Sequence, residues 1–514
     1  MAADLILRNA DVVTLDPQQP KARLVAIKGD KILLVAGNDE EECLKGAGTN
    51  VIDCHGKTVV PGFNDAHCHL FSFIRKLLSL DIGPSSVSSI NDIKVAIRRQ
   101  TQYILPGGWL TGTGFNEFHL AEKRYPNRWD IDEVAPLHPV VLIHRSLHAC
   151  VLNSLALSLA GITAQTTEPS GGHIDREPST GEPTGLLFEM LSYIRERVMP
   201  PLTEEELRRG VALANRQYLT NGITSLQEAT MGNGLDRWQS LRQLKDAGQL
   251  TSRVSMMFGT GALSRFQEMG LVTGSGDVQL RLGGMKIMLT GTSGQLQPQQ
   301  LELNQQAFKA NRAGFQLAIH AVEECTVTAA IMALEYIASR LPITGQRHRI
   351  EHCSECSHYL LQRLVEMKAV IVTQPSFIYY SGDRYLATVL ASQQQLLYRI
   401  KSLSDSGLIV AGSSDSPVVS HNPLVGIYAA VTRRTDSGHQ LLSEECIMAE
   451  QALEMYTINA AYASGEENIK GSITPGKLAD IVVLSDNPLN VSQERIKDIM
   501  VEMTIIGGKV AWEV

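Results

Sequence analysis

Two histidines stand one residue apart in the stretch Pro61-Gly62-Phe63-Asn64-Asp65-Ala66-His67-Cys68-His69. The residues just before it, 57–60, are apolar and rich in β-formers, so we expect the stretch to follow or continue a strand. Because residues i and i+2 of a strand point to the same side, His67 and His69 can direct two imidazoles at one point. Such a pair could bind a metal ion, although a lone His-x-His pattern is also common at ordinary surface or core positions.

Further residues of metal-ligating type recur later in the chain. Each stands at or just beyond the C-terminal end of a short stretch that reads as a strand: His320, His352 and Asp415. Lys286 lies in the chain between the first pair and these three. Any one of these histidines could have an ordinary hydrogen-bonded role. Together, four imidazoles and one carboxylate at strand ends predict a site for Zn²⁺ or a related divalent ion.

The middle of the chain alternates short apolar strands with helical stretches, which predicts an α/β fold with a parallel (β/α)8 barrel of the TIM type. The first strand ends at His67, and the others are expected at 222–227, 253–258, 283–289, 315–320, 348–352, 369–373 and 408–412. The C-terminal ends of the strands in such a barrel converge on one face. The candidate ligands would therefore meet there.

Both ends of the chain are rich in short strands. Residues 1–60 contain several of them, separated by turns such as Asp16-Pro17 and Gly29-Asp30, and residues 466–514 contain more. Neither set is large enough to be stable alone, so we expect the two to pack together as a small β-sandwich. This predicts a sandwich built from 1–60 and 466–514 and a barrel over 61–465.

The interval between the first two barrel strands is much longer than one helix needs. We therefore expect an inserted subdomain at about 80–200 that lies over the barrel mouth and shapes a substrate pocket. Its aromatic residues include Trp109 and Phe115. These two could line an apolar pocket or could instead pack within the insertion.

Composition excludes several classes of function. The formal net charge is −8, and no Lys/Arg-rich run is present, so nucleic-acid binding is not expected. No apolar run reaches membrane-spanning length, and the N-terminus does not resemble a secretory signal. The 8 cysteines fit reduced thiols and hence a cytoplasmic location. We expect a small-molecule substrate, and a homodimer is one expectation for the oligomeric state.

The chain resembles the amidohydrolase superfamily over nearly its whole length, and within it the YtcJ-like branch, which includes N-substituted formamide deformylases. The motifs that carry the resemblance are the stretch 61–69, Ala313-Gly-Phe-Gln-Leu-Ala-Ile-His320-Ala321, Arg349-Ile-Glu-His352-Cys353, Gly412-Ser-Ser-Asp415-Ser-Pro417 and the closing segment 470–484. The resemblance implies the barrel and the terminal sandwich together with a metal-dependent hydrolase.

The same resemblance implies roles for the ligand candidates. His67 and His69 would hold the more buried metal with Asp415, and His320 and His352 would hold a second one. Lys286 stands where many members have a carboxylated lysine that bridges two metals; a buried lysine paired with an acid is the alternative. Relatives often continue with an Asp-Gly turn, where this chain has Leu-Thr-Gly-Thr over 289–292. We expect one or two Zn²⁺ ions per chain.

The activity implied by the resemblance is cleavage of a C–N bond in an amide or N-substituted formamide. A metal-activated hydroxide would attack the carbonyl, and Asp415 would carry the proton from the water to the leaving nitrogen. His148 and Gln374 would contact the substrate, although His148 could also make a structural hydrogen bond. A cyclic amide, a carbamate or an ester would suit the same metal chemistry, and a non-catalytic binding module is the alternative from another class.

Overall fold

The computed structural model describes residues 2–169, 171–291, 295–341 and 345–514. The chain forms two compact units, one made of Met1–His69 with Asn215–Val514 and the other of Leu70–Ala214. The boundaries expected from the sequence at 60 and 465, and the insertion at about 80–200, stay predictions. Thr292, part of the unusual turn noted after Lys286, lies outside the described residues.

A parallel eight-stranded barrel forms the centre of the first unit, which confirms the predicted fold class. In chain order its strands are β1 (Phe63–Cys68), β2 (Ile223–Glu228), β3 (Arg253–Gly259), β4 (Leu280–Met288), β5 (Leu317–Ala321), β6 (Arg349–His352), β7 (Val370–Thr373) and β8 (Val410–Gly412). Each strand pairs with the next, and β1 pairs with β2 at one end of the series. Just beyond β8, the ring is drawn together by Asp415 N–H donating to His67 O at 2.8 Å and His69 N–H donating to Ser416 O at 2.7 Å.

Helices connect the barrel strands and cover their outer side. This explains why strands such as β7, of sequence Val-Ile-Val-Thr, are buried at every residue. The α-helices of this unit, or reaching into it, are Glu41–Leu44, Glu204–Thr220, Leu235–Asp246, Leu263–Glu268, Gln300–Arg312, Glu324–Ala338, His358–Glu366, Ser376–Thr388, Ala391–Gln394, Ile400–Asp405, Pro423–Thr432, Ala449–Met455 and Ile458–Ala463. Short 3₁₀ helices lie at Asn38–Glu40, Thr260–Ala262, Ser443–Glu445 and Gln493–Asp498.

Strands from both ends of the chain form two sheets that share one apolar core, as the sequence predicted. The first sheet has the order Lys31–Ala36, Leu24–Lys28, Leu5–Arg8, Asn50–Asp53. The second has the order Lys509–Glu513, Val501–Ile506, Ile481–Leu484, Thr58–Pro61, Asp11–Val13, Lys21–Ala22. The core between them includes Leu7 and Val25 from the first sheet and Val59, Ile481 and Ile505 from the second. Neither terminus could complete this core alone.

The second unit has its own six-stranded mixed sheet. The strand order is His173–Arg176, Pro183–Phe188, Ala149–Leu152, Val140–His144, Leu110–Phe115, Leu80–Asp81. Its α-helices are Leu70–Leu78, Ile90–Thr101, Arg128–Asp132, Ser154–Ala160 and Leu191–Arg197. Alternate residues of one strand feed two separate apolar clusters: Val140 and Leu142 belong to one, and Val141 and Ile143 belong to the other. The sheet is therefore covered on both faces.

A buried ion pair joins the start of β3 to the residue that precedes the sandwich strand Ile481–Leu484. The guanidinium of Arg253 contacts both carboxylate oxygens of Asp480, at 2.6 and 2.9 Å. The two side chains are 2% and 4% exposed. Asp480 also accepts a hydrogen bond from Gly507 N–H at 2.9 Å. This carboxylate therefore links the barrel to the hairpin at the C-terminus.

Replacing Asp480 by Ala should lower the free energy of unfolding by about 3–5 kcal/mol, because the Arg253 charge would stay buried without its partner. Denaturant unfolding followed by circular dichroism measures the change. Asp4→Ala is the matched control, since Asp4 pairs with Lys28 at an exposed position and should change stability by less than about 1 kcal/mol. Equal losses of stability from the two substitutions would show that the buried ion pair does not hold the barrel and the C-terminal hairpin together.

Candidate metal centre

His67 and His69, on and just after β1, converge with Asp415 from the other end of the barrel sheet. Nε2 of His69 lies 3.0 Å from Asp415 Oδ1, and Nε2 of His67 lies 3.6 Å from the same atom. Each of the three residues offers one potential ligand atom, and these atoms all lie within 4.8 Å of one another. The group is buried or half-buried. Two nitrogen donors and one oxygen donor thus face a common point at the barrel mouth.

Hydrogen bonds at Nδ1 fix the direction of both imidazoles. Nδ1 of His67 contacts Oε2 of Glu351, and Nδ1 of His69 contacts the hydroxyl of Thr230 at 2.9 Å. A proton placed on each Nδ1 leaves the Nε2 lone pair directed towards Asp415. Outer hydrogen bonds of this kind orient the histidines that bind metals in proteins.

The backbone places Asp415 in a restricted conformation. Its φ of 56° lies in the left-handed region, which costs a non-glycine residue of order 1–3 kcal/mol. Just before it, the ring of Tyr456 packs where a Cβ on Gly412 would be only 2.7 Å from a ring atom, so only glycine fits there. Ser414 is held by its backbone N–H, which donates to Asp65 Oδ1 at 2.9 Å. Packing on both sides therefore maintains the strained turn that carries Asp415.

Lys286 lies on β4 within the same cluster. Its Nζ is 3.2 Å from Nε2 of His67, and the residue is only 3% exposed. Burial lowers the pKa of Lys286 to about 8. The amine therefore loses its proton more readily than that of an exposed lysine, and the neutral amine is the form that can react with CO₂.

His320 and His352 complete the group from β5 and β6. Their ring centroids are 4.4 Å apart, and the His352 ring is 4.9 Å from that of His67. His352 has a φ of 71°, a left-handed conformation that ends the regular alternation of the strand. Nδ1 of His352 donates to Oε1 of Gln374 at 2.7 Å, which leaves its Nε2 available as a ligand.

The protonation states at neutral pH suit metal binding. Burial lowers the pKa of His67 well below its ordinary value, and the Lys286 charge lowers it further. Burial is also the main cause of the lowered pKa of His352. For Asp415, burial opposes ionisation, but the neighbouring imidazoles outweigh it and hold the pKa below its ordinary value. Neutral imidazoles and an ionised carboxylate are the forms that bind a divalent cation.

One orphaned atom supports a cation at this position. Asp415 Oδ1 is buried and has no hydrogen-bond partner among the residues that the structure describes, although Nε2 of His69 is close. A buried carboxylate oxygen without a donor is unfavourable unless a cation neutralises it. The donor set of imidazole nitrogens and carboxylate oxygen therefore fits a divalent metal of the Zn²⁺ type.

The proposed substrate contacts have the following places in the structure. Gln374 is fully buried and uses both ends of its amide on protein, since its Nε2 donates to Ser413 Oγ at 2.9 Å. His148, in the second unit, pairs through Nδ1 with Glu189 at 2.9 Å. Its ring is 46% exposed. Contact of either residue with a substrate stays a prediction.

The two aromatic residues predicted to line a pocket differ in burial. Phe115 is completely buried and packs edge-on against Tyr125 and His144. This favours the packing role considered for it from the sequence. Trp109 is half-buried and lines a cavity of about 170 Å³ within the second unit, together with Leu110, Ile143 and Pro200. A substrate contact through either ring is not tested by these observations.

Several polar residues that support the site did not stand out in the sequence. Glu351 and Thr230 hold His67 and His69, and Arg349 holds Glu351. The sequence signal was present for two of them, since Arg349 and Glu351 are charged residues at alternate positions of a strand that should be buried. Charge at both positions of one face would have indicated an ion pair inside the barrel.

The barrel with its histidine-carboxylate cluster defines the class of metal-dependent hydrolases built on a TIM-type fold. Residues 50–511 match the Amidohydrolase family. The chain is 30% identical to the N-substituted formamide deformylase of Arthrobacter pascens, over 99% of this chain and 98% of that protein. It is 26% identical to the putative amidohydrolase YtcJ of Bacillus subtilis, over 90% of this chain and 91% of that protein.

A solved structure with the same fold is that of an uncharacterized metal-dependent hydrolase from Pyrococcus horikoshii. It has a TM-score of 0.77 and 23% identity, and covers 95% of this chain and 99% of that one. The chain therefore belongs to the amidohydrolase family, which confirms the resemblance found in its motifs, and it is a hydrolase. No helix among the described residues is both long and apolar enough to cross a membrane.

Replacing both His67 and His69 by Gln should remove most of the bound metal, because two nitrogen donors are lost while the residues stay polar. Elemental analysis after loading with Zn²⁺ and dialysis measures the metal per chain. His348→Gln is the control, since His348 is also buried but contacts Asn311 and the backbone of Leu317. Full metal retention in the double variant would contradict the assignment of this centre.

Proposed function

We propose that the protein is a metal-dependent hydrolase that cleaves a C–N bond in an amide or N-substituted formamide of small size. The observation that carries this proposal is the convergence of two imidazole Nε2 atoms with the orphaned Oδ1 of Asp415 at the barrel mouth. The similarity to the Arthrobacter pascens protein over nearly the whole of both chains supports a formamide as the first substrate to test.

The residues that would hold the metal are His67, His69 and Asp415, with His320 and His352 available for a second ion. When bound, a divalent cation lowers the pKa of a water molecule and polarises a carbonyl oxygen. Zn²⁺ is the ion we propose, because imidazole and carboxylate donors suit it. Lys286, as a carbamate, would contribute two oxygen donors and would replace a repelling ammonium by an anion.

Asp415 is the proposed proton carrier. Its Oδ1 faces the histidine cluster and has no competing hydrogen bond within the described residues. In the reaction, this carboxylate accepts a proton from the attacking water and then donates it to the amine nitrogen as the C–N bond breaks. Hydrolysis of a formamide in this way consumes one water and yields formic acid and a free amine, which become formate and an alkylammonium ion once the proton is transferred, so atoms and charge balance.

The kind of substrate, the cellular location and the assembly are part of the same proposal. The substrate is proposed to be a small molecule, and the chain to act in the cytoplasm, since all its cysteines are free thiols in the structure. Cys353 and Cys356, the one CxxC pair, are both buried. A homodimer remains the proposed assembly.

Asp415→Asn should bind substrate but turn over N-substituted formamides at least about 10²-fold more slowly, because the amide cannot accept the proton. Release of formate, followed with formate dehydrogenase, measures the rate in Zn²⁺-loaded protein. Asp383→Asn, at a half-buried site that pairs with His439, should leave turnover unchanged. Wild-type-like rates in the Asp415 variant would remove Asp415 from the proposed mechanism.

Lys286→Met should reduce the bound Zn²⁺ from two ions per chain to one if the lysine is carboxylated and bridges them. Native mass spectrometry in bicarbonate buffer should also show about 44 Da on the wild type, one CO₂, that the variant lacks. One ion per chain and no added mass in the wild type would favour a mononuclear centre. If the wild type neither binds metal nor hydrolyses the substrate, the result would support the alternative that the protein is a non-catalytic binding module.

A further inference from the structure

A buried ionic network lies directly beneath His67 inside the barrel. Arg349 and Glu351 stand at alternate positions of β6, so both side chains point to the same side of the strand. Arg349 is 1% exposed and Glu351 is 0% exposed. A barrel interior of this fold is normally packed with branched apolar side chains. This pair therefore occupies positions where an apolar layer would be expected.

Every polar end of the network has a partner. The guanidinium of Arg349 donates to both carboxylate oxygens of Glu351, at 2.7 and 2.9 Å. It also donates to Gln227 Oε1 and, at 2.7 Å, to the carbonyl of Ala66. Ala66 is the residue before His67. The network thus holds the backbone of β1 as well as the imidazole that follows.

The contact between Glu351 and His67 links this network to a candidate ligand atom. Oε2 of Glu351 meets Nδ1 of His67, while Nε2 of the same ring faces Asp415 and Lys286. Burying an ion pair costs desolvation free energy that an apolar pair would not. Fold stability alone therefore gives no reason for charge here, but control of the imidazole does.

We propose that Glu351, held by Arg349, is a positioning residue that fixes the His67 ring with Nε2 towards the metal and strengthens that nitrogen as a donor. An anionic acceptor on Nδ1–H selects one tautomer and makes Nε2 more electron-rich. Because Glu351 immediately precedes His352 in β6, the same strand end sets the position of two ligands. This inference rests on the metal centre of the proposed function.

Two variants separate positioning from packing. Glu351→Gln retains an acceptor for His67 but removes the charge and leaves Arg349 without its counter-ion. Combining it with Arg349→Met removes both charges, so the double variant should recover most of the stability that the single variant loses. A structural role predicts that metal affinity recovers with stability. The positioning role predicts that affinity stays low in both variants.

The measurement is the Zn²⁺ dissociation constant, obtained by competition with a chelating dye, together with the thermal midpoint of the metal-free protein. We expect both variants to bind Zn²⁺ about 10- to 100-fold more weakly than the wild type. Glu466→Gln is the matched control. Glu466 is a 3%-exposed acid that pairs with Lys470 at 2.8 Å, so its loss should lower the midpoint and leave the dissociation constant within about 3-fold.

The double variant also keeps the test decisive if Glu351→Gln alone does not fold. A double variant with wild-type affinity would overturn the inference while leaving the proposed function intact. A wild-type protein that binds no Zn²⁺ would overturn both. A Co²⁺-loaded double variant should in addition show a shifted visible absorption band, because a neutral acceptor on Nδ1 would make Nε2 of His67 a weaker donor to the metal.

Discussion

Burial of charge at the barrel mouth is the constraint on which the rest of the site depends. Asp415 is buried, the neighbouring imidazoles hold its pKa below the ordinary value, and its Oδ1 lies 3.0 Å from Nε2 of His69. The imidazoles of His67 and His69 are held at Nδ1 and direct Nε2 to this oxygen, and burial lowers the pKa of His67 and of His352. The fold thus holds imidazole nitrogens and a carboxylate oxygen close together in a buried site. This arrangement would be unfavourable unless a cation occupied the site.

The barrel strands bring these ligands together because the first and last strands of the sheet meet at the site. His67 lies on the first strand and Asp415 just beyond the last, and their backbones are joined by the hydrogen bond from Asp415 N–H to His67 O. Left-handed backbone at His352 and Asp415 turns two side chains inward. Strain at these residues is sustained by packing such as that of Tyr456 on Gly412. The strained backbone of these ligand residues is therefore maintained by the close packing of the residues around it.

Much of this could be predicted from the sequence because the important residues stand at strand ends. Short apolar runs followed by His320 or Asp415 indicate both the strand and the chemistry. The supporting residues were harder to predict. A hydroxyl such as that of Thr230, or the amide of Gln374, acquires its role only from a partner distant in the chain, and no local pattern marks it.

The terminal sandwich has a consequence for how the chain is made. The strand Thr58–Pro61 pairs with Ile481–Leu484 in antiparallel register, and the eight barrel strands lie between these two segments in the chain. Until the later segment has been synthesised, the early strands have an open sheet edge and an uncovered apolar face. Exposed edges of this kind favour aggregation. The early strands are therefore exposed while the barrel is being synthesised, even though the folded protein pairs that edge and covers that face.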